Sequence, residues 1–105
     1  MLGSGSGTSD TTEHILFQVE KKSPFGFSGW IDLKNISTGA VIVIKQYYKI
    51  SPTNTYSLYA EDSYEGPLPE TLIHFREKMI VSGAKVTVHQ SLGVGFIVYW
   101  EFYKD

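Results

Sequence analysis

The sequence predicts an all-β protein: an antiparallel β-sandwich of seven or eight strands, jelly-roll-like or immunoglobulin-like, with a barrel as the alternative. Three observations carry this. From Glu13 onward, apolar and polar residues alternate in short runs rich in aromatic and β-branched side chains, the period of a half-buried strand. Clusters of Gly, Pro, Ser and Asn interrupt these runs at intervals of about ten residues, a spacing typical of sandwiches. No stretch repeats its apolar residues with helical spacing. At 105 residues the chain makes one domain, and no internal repeat of fixed period suggests a propeller or solenoid.

The first strand is expected over Glu13 to Lys22, with Ile15, Phe17 and Val19 on the core face. Pro24 cannot donate to a ladder, so Phe25-Gly26-Phe27-Ser28-Gly29 reads as a loop with two aromatics at its tip. Trp30 to Asn35 follows as a strand, Ile31 and Leu33 opposed to Trp30, Asp32 and Lys34. Ser37-Thr38-Gly39 is a turn. Ala40 to Ile50 has the strongest pattern, with Ile42, Ile44, Tyr48 and Ile50 on one face and Val41, Val43, Lys45, Tyr47 and Lys49 on the other. Its first half is apolar on both faces, as in a central strand.

Ser51-Pro52-Thr53-Asn54 has turn composition and would join this strand to Thr55–Asp62 in a hairpin. Tyr64 to Pro69 reads as a crossover between sheets, and Pro69 to Thr71 could close one helical turn. Leu72–Arg76 and Lys78–Val81 are expected as two short strands, with a turn at Ser82-Gly83. Lys85–Ser91 places Val86 and Val88 inward. After the Leu92–Gly95 turn, Phe96–Tyr103 sets Phe96, Val98, Trp100 and Phe102 against Ile97, Tyr99, Glu101 and Tyr103.

Residues 1–12 carry no basic region followed by an apolar one, so a signal peptide is not expected. They read as a flexible Gly/Ser-rich arm or linker preceding a single sandwich domain over residues 13–105. No apolar run is long enough to cross a bilayer as a helix. The net charge of −2 and scattered lysines argue against a nucleic-acid partner, which calls for a basic face. The absence of cysteine removes disulfides and thiolate chemistry and leaves the compartment open.

No catalytic, metal or cofactor constellation emerges. His14, His74 and His89 share no metal-ligand spacing and read as sheet-face histidines. The acidic run Glu61 to Gly66 lacks the register of a calcium loop. Asp32 with Glu61 or Glu101 would be a glycosidase pair only across a cleft that nothing in the sequence supplies. Ser28 misses the GxSxG elbow by one position, and Gly93-Val94-Gly95 lacks the third glycine of a phosphate loop. Asn35-Ile36-Ser37 matches a glycosylation acceptor by pattern alone.

What remains is the aromatic content of seven Tyr, six Phe and two Trp. Tyr47, Tyr59, Tyr99 and Tyr103 fall opposite their strands' core positions, and Phe25 and Phe27 sit in the expected loop. These six are the candidate contact residues. Exposed rings serve sugar stacking or subunit contact, and in a small sandwich they can also be half-covered structural residues.

The run from Gly29 to Asn35, then Ser37-Thr38-Gly39, Val41–Ile50 and Tyr56–Glu61, resembles small uncharacterised β-proteins of prokaryotic viruses and proviruses. Lys85–Gln90, with its glycine turn and aromatic last strand, is similar too. The resemblance implies a virion component: a capsid, vertex or tail decoration domain of sandwich type, homo-oligomeric or partnered with other structural subunits. The competing expectation is a carbohydrate-binding module using the same tyrosines.

Overall fold

The computed structural model describes residues 3–20, 24–51, 55–80 and 82–104. They form eight antiparallel strands: β1 Gly3–Thr8, β2 His14–Glu20, β3 Phe25–Asp32, β4 Val41–Lys49, β5 Ser57–Glu65, β6 Leu72–Ile80, β7 Gly83–Leu92 and β8 Ile97–Lys104. Two four-stranded sheets result: sheet A in the order β1-β8-β3-β6 and sheet B in the order β2-β7-β4-β5.

The pairing has a simple origin. β1 pairs with β8, β2 with β7, β3 with β6 and β4 with β5, the ladder of one long hairpin folded between β4 and β5. Wrapping that ribbon into two layers brings β3 beside β8 and β4 beside β7. This is the strand order of the eight-stranded jelly roll, which distinguishes it from the immunoglobulin arrangement and the barrel.

The inward faces meet in a core centred on four phenylalanines. Phe17 of sheet B touches Phe27 and Phe102 of sheet A at ring-centroid distances of 5.0 and 4.6 Å. Phe75 lies 5.7 Å from Phe102. Ile31, Ile42, Val86 and Val98 complete the layer, each at most 2 % exposed. A polar plug closes one end: Ser9 Oγ donates to Gln90 Oε1 (2.5 Å) and accepts from the Phe96 amide (3.0 Å), pinning the β1–β2 connection.

Several strand boundaries differ from expectation for identifiable reasons. Phe25 to Gly29 is not a loop but the first half of β3. Gly29 is there for close approach, not for a turn: a Cβ on it would lie 2.4 Å from the Glu101 carbonyl oxygen. Phe25 and Phe27 are 5 % and 0 % exposed, two residues apart and therefore on the same inward face. They are core residues and are withdrawn as contact candidates.

Residues 3–8, expected as an arm outside the sandwich, form edge strand β1. A ladder needs only main-chain groups, and the inward glycines make room for a neighbour. A Cβ on Gly5 would stand 3.0 Å from Trp100 Cζ2, so the indole lies against the glycines. The two short strands expected after Leu72 are one, β6; Glu77 interrupts the apolar alternation without supplying a turn.

A bulge between Ile15 and Phe17 turns Ile15 outward and buries both Leu16 and Phe17. Ile50, expected on the core face, is 73 % exposed at the end of β4. Pro69 to Thr71 is not helical. Of the expected turn at Ser51–Asn54, residues 52–54 lie outside the described residues, as do residues 21–23 at the expected end of the first strand.

Candidate functional site

The two outer faces differ in how their charged groups are paired. On sheet B the chain covers itself with charged groups. Glu13, just before β2, accepts hydrogen bonds from Tyr47 Oη (2.7 Å) and Thr87 Oγ1 (2.6 Å). These two bonds, from Thr87 first and Tyr47 second, hold its carboxyl below the ordinary value. Burial, and then the hydrogen bond to Glu13, push the Tyr47 phenol up.

Lys45 bridges Glu13 (3.9 Å) and Glu61 (3.6 Å), while Lys49 pairs with Glu20. Lys85 lies over the rings of Tyr47 (4.5 Å) and Tyr56 (5.0 Å). Such lysines shield aromatic surface with their stems while keeping the ammonium wet. Tyr47 is thus engaged within its own chain. Tyr59 is exposed on edge strand β5, stacked on Tyr48 at 4.5 Å.

On sheet A the outer residues make no lysine–carboxylate pair among the described residues. Successive side chains of a strand alternate faces, so Trp30 and Asp32 of β3, Tyr99, Glu101 and Tyr103 of β8, and Leu72, His74 and Arg76 of β6 all point out. The register sets them in rows. Asp32 stands opposite Tyr99 on one side and Leu72 on the other, while Trp30 stands opposite Glu101 and His74. Ser28 stands between Tyr103 and Arg76.

Across β3 and β8 this makes a checkerboard in which two aromatic rings and two carboxylates occupy opposite diagonals. Trp30 is 45 % and Leu72 55 % exposed. The Trp30 ring leans on His74 with centroids 4.3 Å apart. A shallow depression of about 480 Å³ runs over this area, walled by Trp30, Asp32, Leu72, Tyr99, Glu101 and Ser4.

The carboxylates keep spare acceptor capacity. Asp32 Oδ1 accepts from the Lys34 amide (2.9 Å), and Glu101 Oε2 from Tyr103 Oη (2.9 Å); that bond to a carboxylate pushes the Tyr103 phenol up. An ionised carboxylate accepts about four hydrogen bonds. Lys34 lies 5.2 Å from the Tyr99 ring centroid. Neither Asp32 nor Glu101 makes an ion pair among the described residues.

Of the six sequence candidates, then, sheet A unites Tyr99 and Tyr103 on one face, and the other four lie elsewhere. Trp30 and Leu72 are exposed on the same face, and the sequence pattern does not single them out. The signal for Trp30 is present in the sequence: it falls on the polar face of a strand whose other face is Ile31 and Leu33. Leu72 becomes significant only because β6 pairs with β3.

Among the described residues no group of three or more His, Asp or Glu is placed to hold a metal ion. His14 Nε2 lies 2.7 Å from Asp10 Oδ1. Glu61, Asp62 and Glu65 belong to strand β5 and form no loop. No family model, curated protein or solved structure matches the chain.

Proposed function

We propose that this chain is a non-enzymatic structural subunit working by protein–protein contact, in the manner of a virion coat, vertex or tail decoration protein. The outer face of sheet A is the contact surface. One observation carries the reading: the lysine–carboxylate pairs of the described residues gather on the outer face of sheet B, where Ile15 and Leu58 are exposed, whereas the exposed rings of Trp30, Tyr99 and Tyr103 gather with Leu72 and Ile97 on sheet A. Interface centres are enriched in Trp, Tyr and Arg and depleted in Lys, which matches the difference between the two faces. The jelly-roll strand order agrees with an assembly role by analogy of fold alone.

The experiment is to replace Trp30 and Tyr99 with Ser and follow association by light scattering. Both rings are exposed, so folding should survive while assembly weakens. Unchanged assembly would refute the contact surface.

The depression itself supports a second reading, a neutral carbohydrate stacked on Trp30 and Tyr99 with hydroxyls donating to Asp32 and Glu101. Titration with neutral oligosaccharides, following the two indole N–H resonances, tests it. Resonances unmoved at high sugar concentration would exclude it.

A further inference from the structure

We infer that the neighbour meeting the outer face of sheet A is a second copy of this chain, related by a two-fold axis lying along that face beside Trp30. Arg76 of each copy seats among the carboxylates and rings of the other. The inference rests on the contact reading above and adds the partner and its anchor.

Arg76 is the single arginine of the chain. It is exposed on edge strand β6 and makes no ion pair among the described residues. The same face carries Asp32 and Glu101, also without ion pairs there, beside Trp30 and Tyr99. One face thus displays a cation with no ion pair among the described residues and the acidic aromatic site that suits it. A guanidinium stacks on an indole and pairs bidentately with a carboxylate, which a lysine cannot do.

The two halves stand too far apart to satisfy each other within one chain. Arg76 is two strands over from Glu101 and one row along, about 12 Å at strand spacings of about 4.8 Å and rises of about 3.4 Å. A two-fold interface is isologous: if residue i of one copy meets j of the other, j meets i. An axis in the plane of the face, across the midpoint between Arg76 and Glu101, exchanges the two positions and forms the pair twice. That midpoint lies on β3 beside Trp30, so the largest exposed ring falls at the centre of the contact, where binding energy concentrates.

The size of the face sets the strength. Four strands by eight residues cover about 500 Å² per copy, below the roughly 800 Å² per partner of a stable complex. The dimer should therefore form and dissociate with concentration, and added salt should weaken it.

Charge exchange tests this in the full chain by sedimentation velocity over a wide concentration range, with circular dichroism confirming that each variant is folded. Arg76→Glu and Glu101→Arg should each weaken self-association by about a hundredfold, and the double variant should return it to within about tenfold of the parent. If Arg76→Glu associates like the parent while Trp30→Ser does not, the arginine anchor is overturned and the contact face stands. If the double variant fails to recover, the pairing is overturned. A parent chain that is monomeric throughout overturns the second copy as partner, and Trp30→Ser associating like the parent overturns the contact face itself.

Discussion

Replacing Gly29 with Ala probes the seam that carries the site. Gly29 stands opposite Phe102 and Phe75 in the middle of sheet A. A Cβ there would come within 2.4 Å of both the Glu101 carbonyl oxygen and Phe102 Cδ1, and 2.9 Å of Phe102 Cα. Two of these three atoms are backbone, so a rotamer change cannot relieve them. A carbon and a carbonyl oxygen on neighbouring strands settle about 3.3–3.6 Å apart, so β3 and β8 must part by roughly 1 Å.

Overpacking of this kind costs about 1–3 kcal/mol, and each ladder hydrogen bond lost adds about 1 kcal/mol, for a total of about 2–5 kcal/mol. A domain of this length has a stability of about 5–15 kcal/mol, and the loss lowers Tm by roughly 10–30 °C. Thermal and urea unfolding followed by circular dichroism measure it. Gly39→Ala is the control: Gly39 has φ of 82°, and a methyl group on it would meet nothing within 4 Å, so only the conformational cost of about 1–2 kcal/mol applies. Gly29→Ala costing no more than Gly39→Ala would refute the close-approach argument.

The core and sheet B supply two more tests. Phe27→Ala should cost about 3–5 kcal/mol in urea unfolding while leaving the self-association of the folded fraction unchanged; a stable variant that no longer associates would return Phe27 to the contact surface. Glu13, held below its ordinary value of 4.5, binds a proton less readily folded than unfolded, so its contribution is present above that value and is lost as the pH falls through the lower folded value. Glu13→Gln should therefore lower Tm at neutral pH and flatten its fall in acid, with Asp10 and Glu20, lowered likewise, sustaining the remaining slope. Parallel Tm profiles for the two proteins would contradict this.

Much of the fold is legible in the sequence because alternation reports directly on a two-layer sandwich: the inward sets Ile42 and Ile44, Val86 and Val88, and Val98 and Phe102 are all buried. Two of the differences, at β3 and at β1, share one cause, the double meaning of glycine. At Gly26 and Gly29 its presence suggests a loop, and in residues 3–8 an arm, whereas Gly29 admits a neighbouring strand and Gly5 admits the Trp100 indole. A single sequence cannot distinguish a glycine that turns the chain from one that leaves space. The site is legible in half. Trp30, Asp32, Tyr99 and Glu101 each fall on the polar face of a strand, but their meeting depends on β3 pairing with β8, a contact created by wrapping the ribbon and invisible to local pattern. Tyr47 looks like a free ring in the sequence because the cover that Glu13 and Lys85 give it comes from distant segments.

The central claim, contact through the outer face of sheet A, is tested most directly by molar mass against concentration for the parent chain and Trp30→Ser. The account predicts a parent mass rising from 11.8 kDa toward that of two chains while the variant stays at one. A parent chain of constant single-chain mass would overturn the second copy as partner, and a variant whose mass rises with the parent's would contradict the contact face.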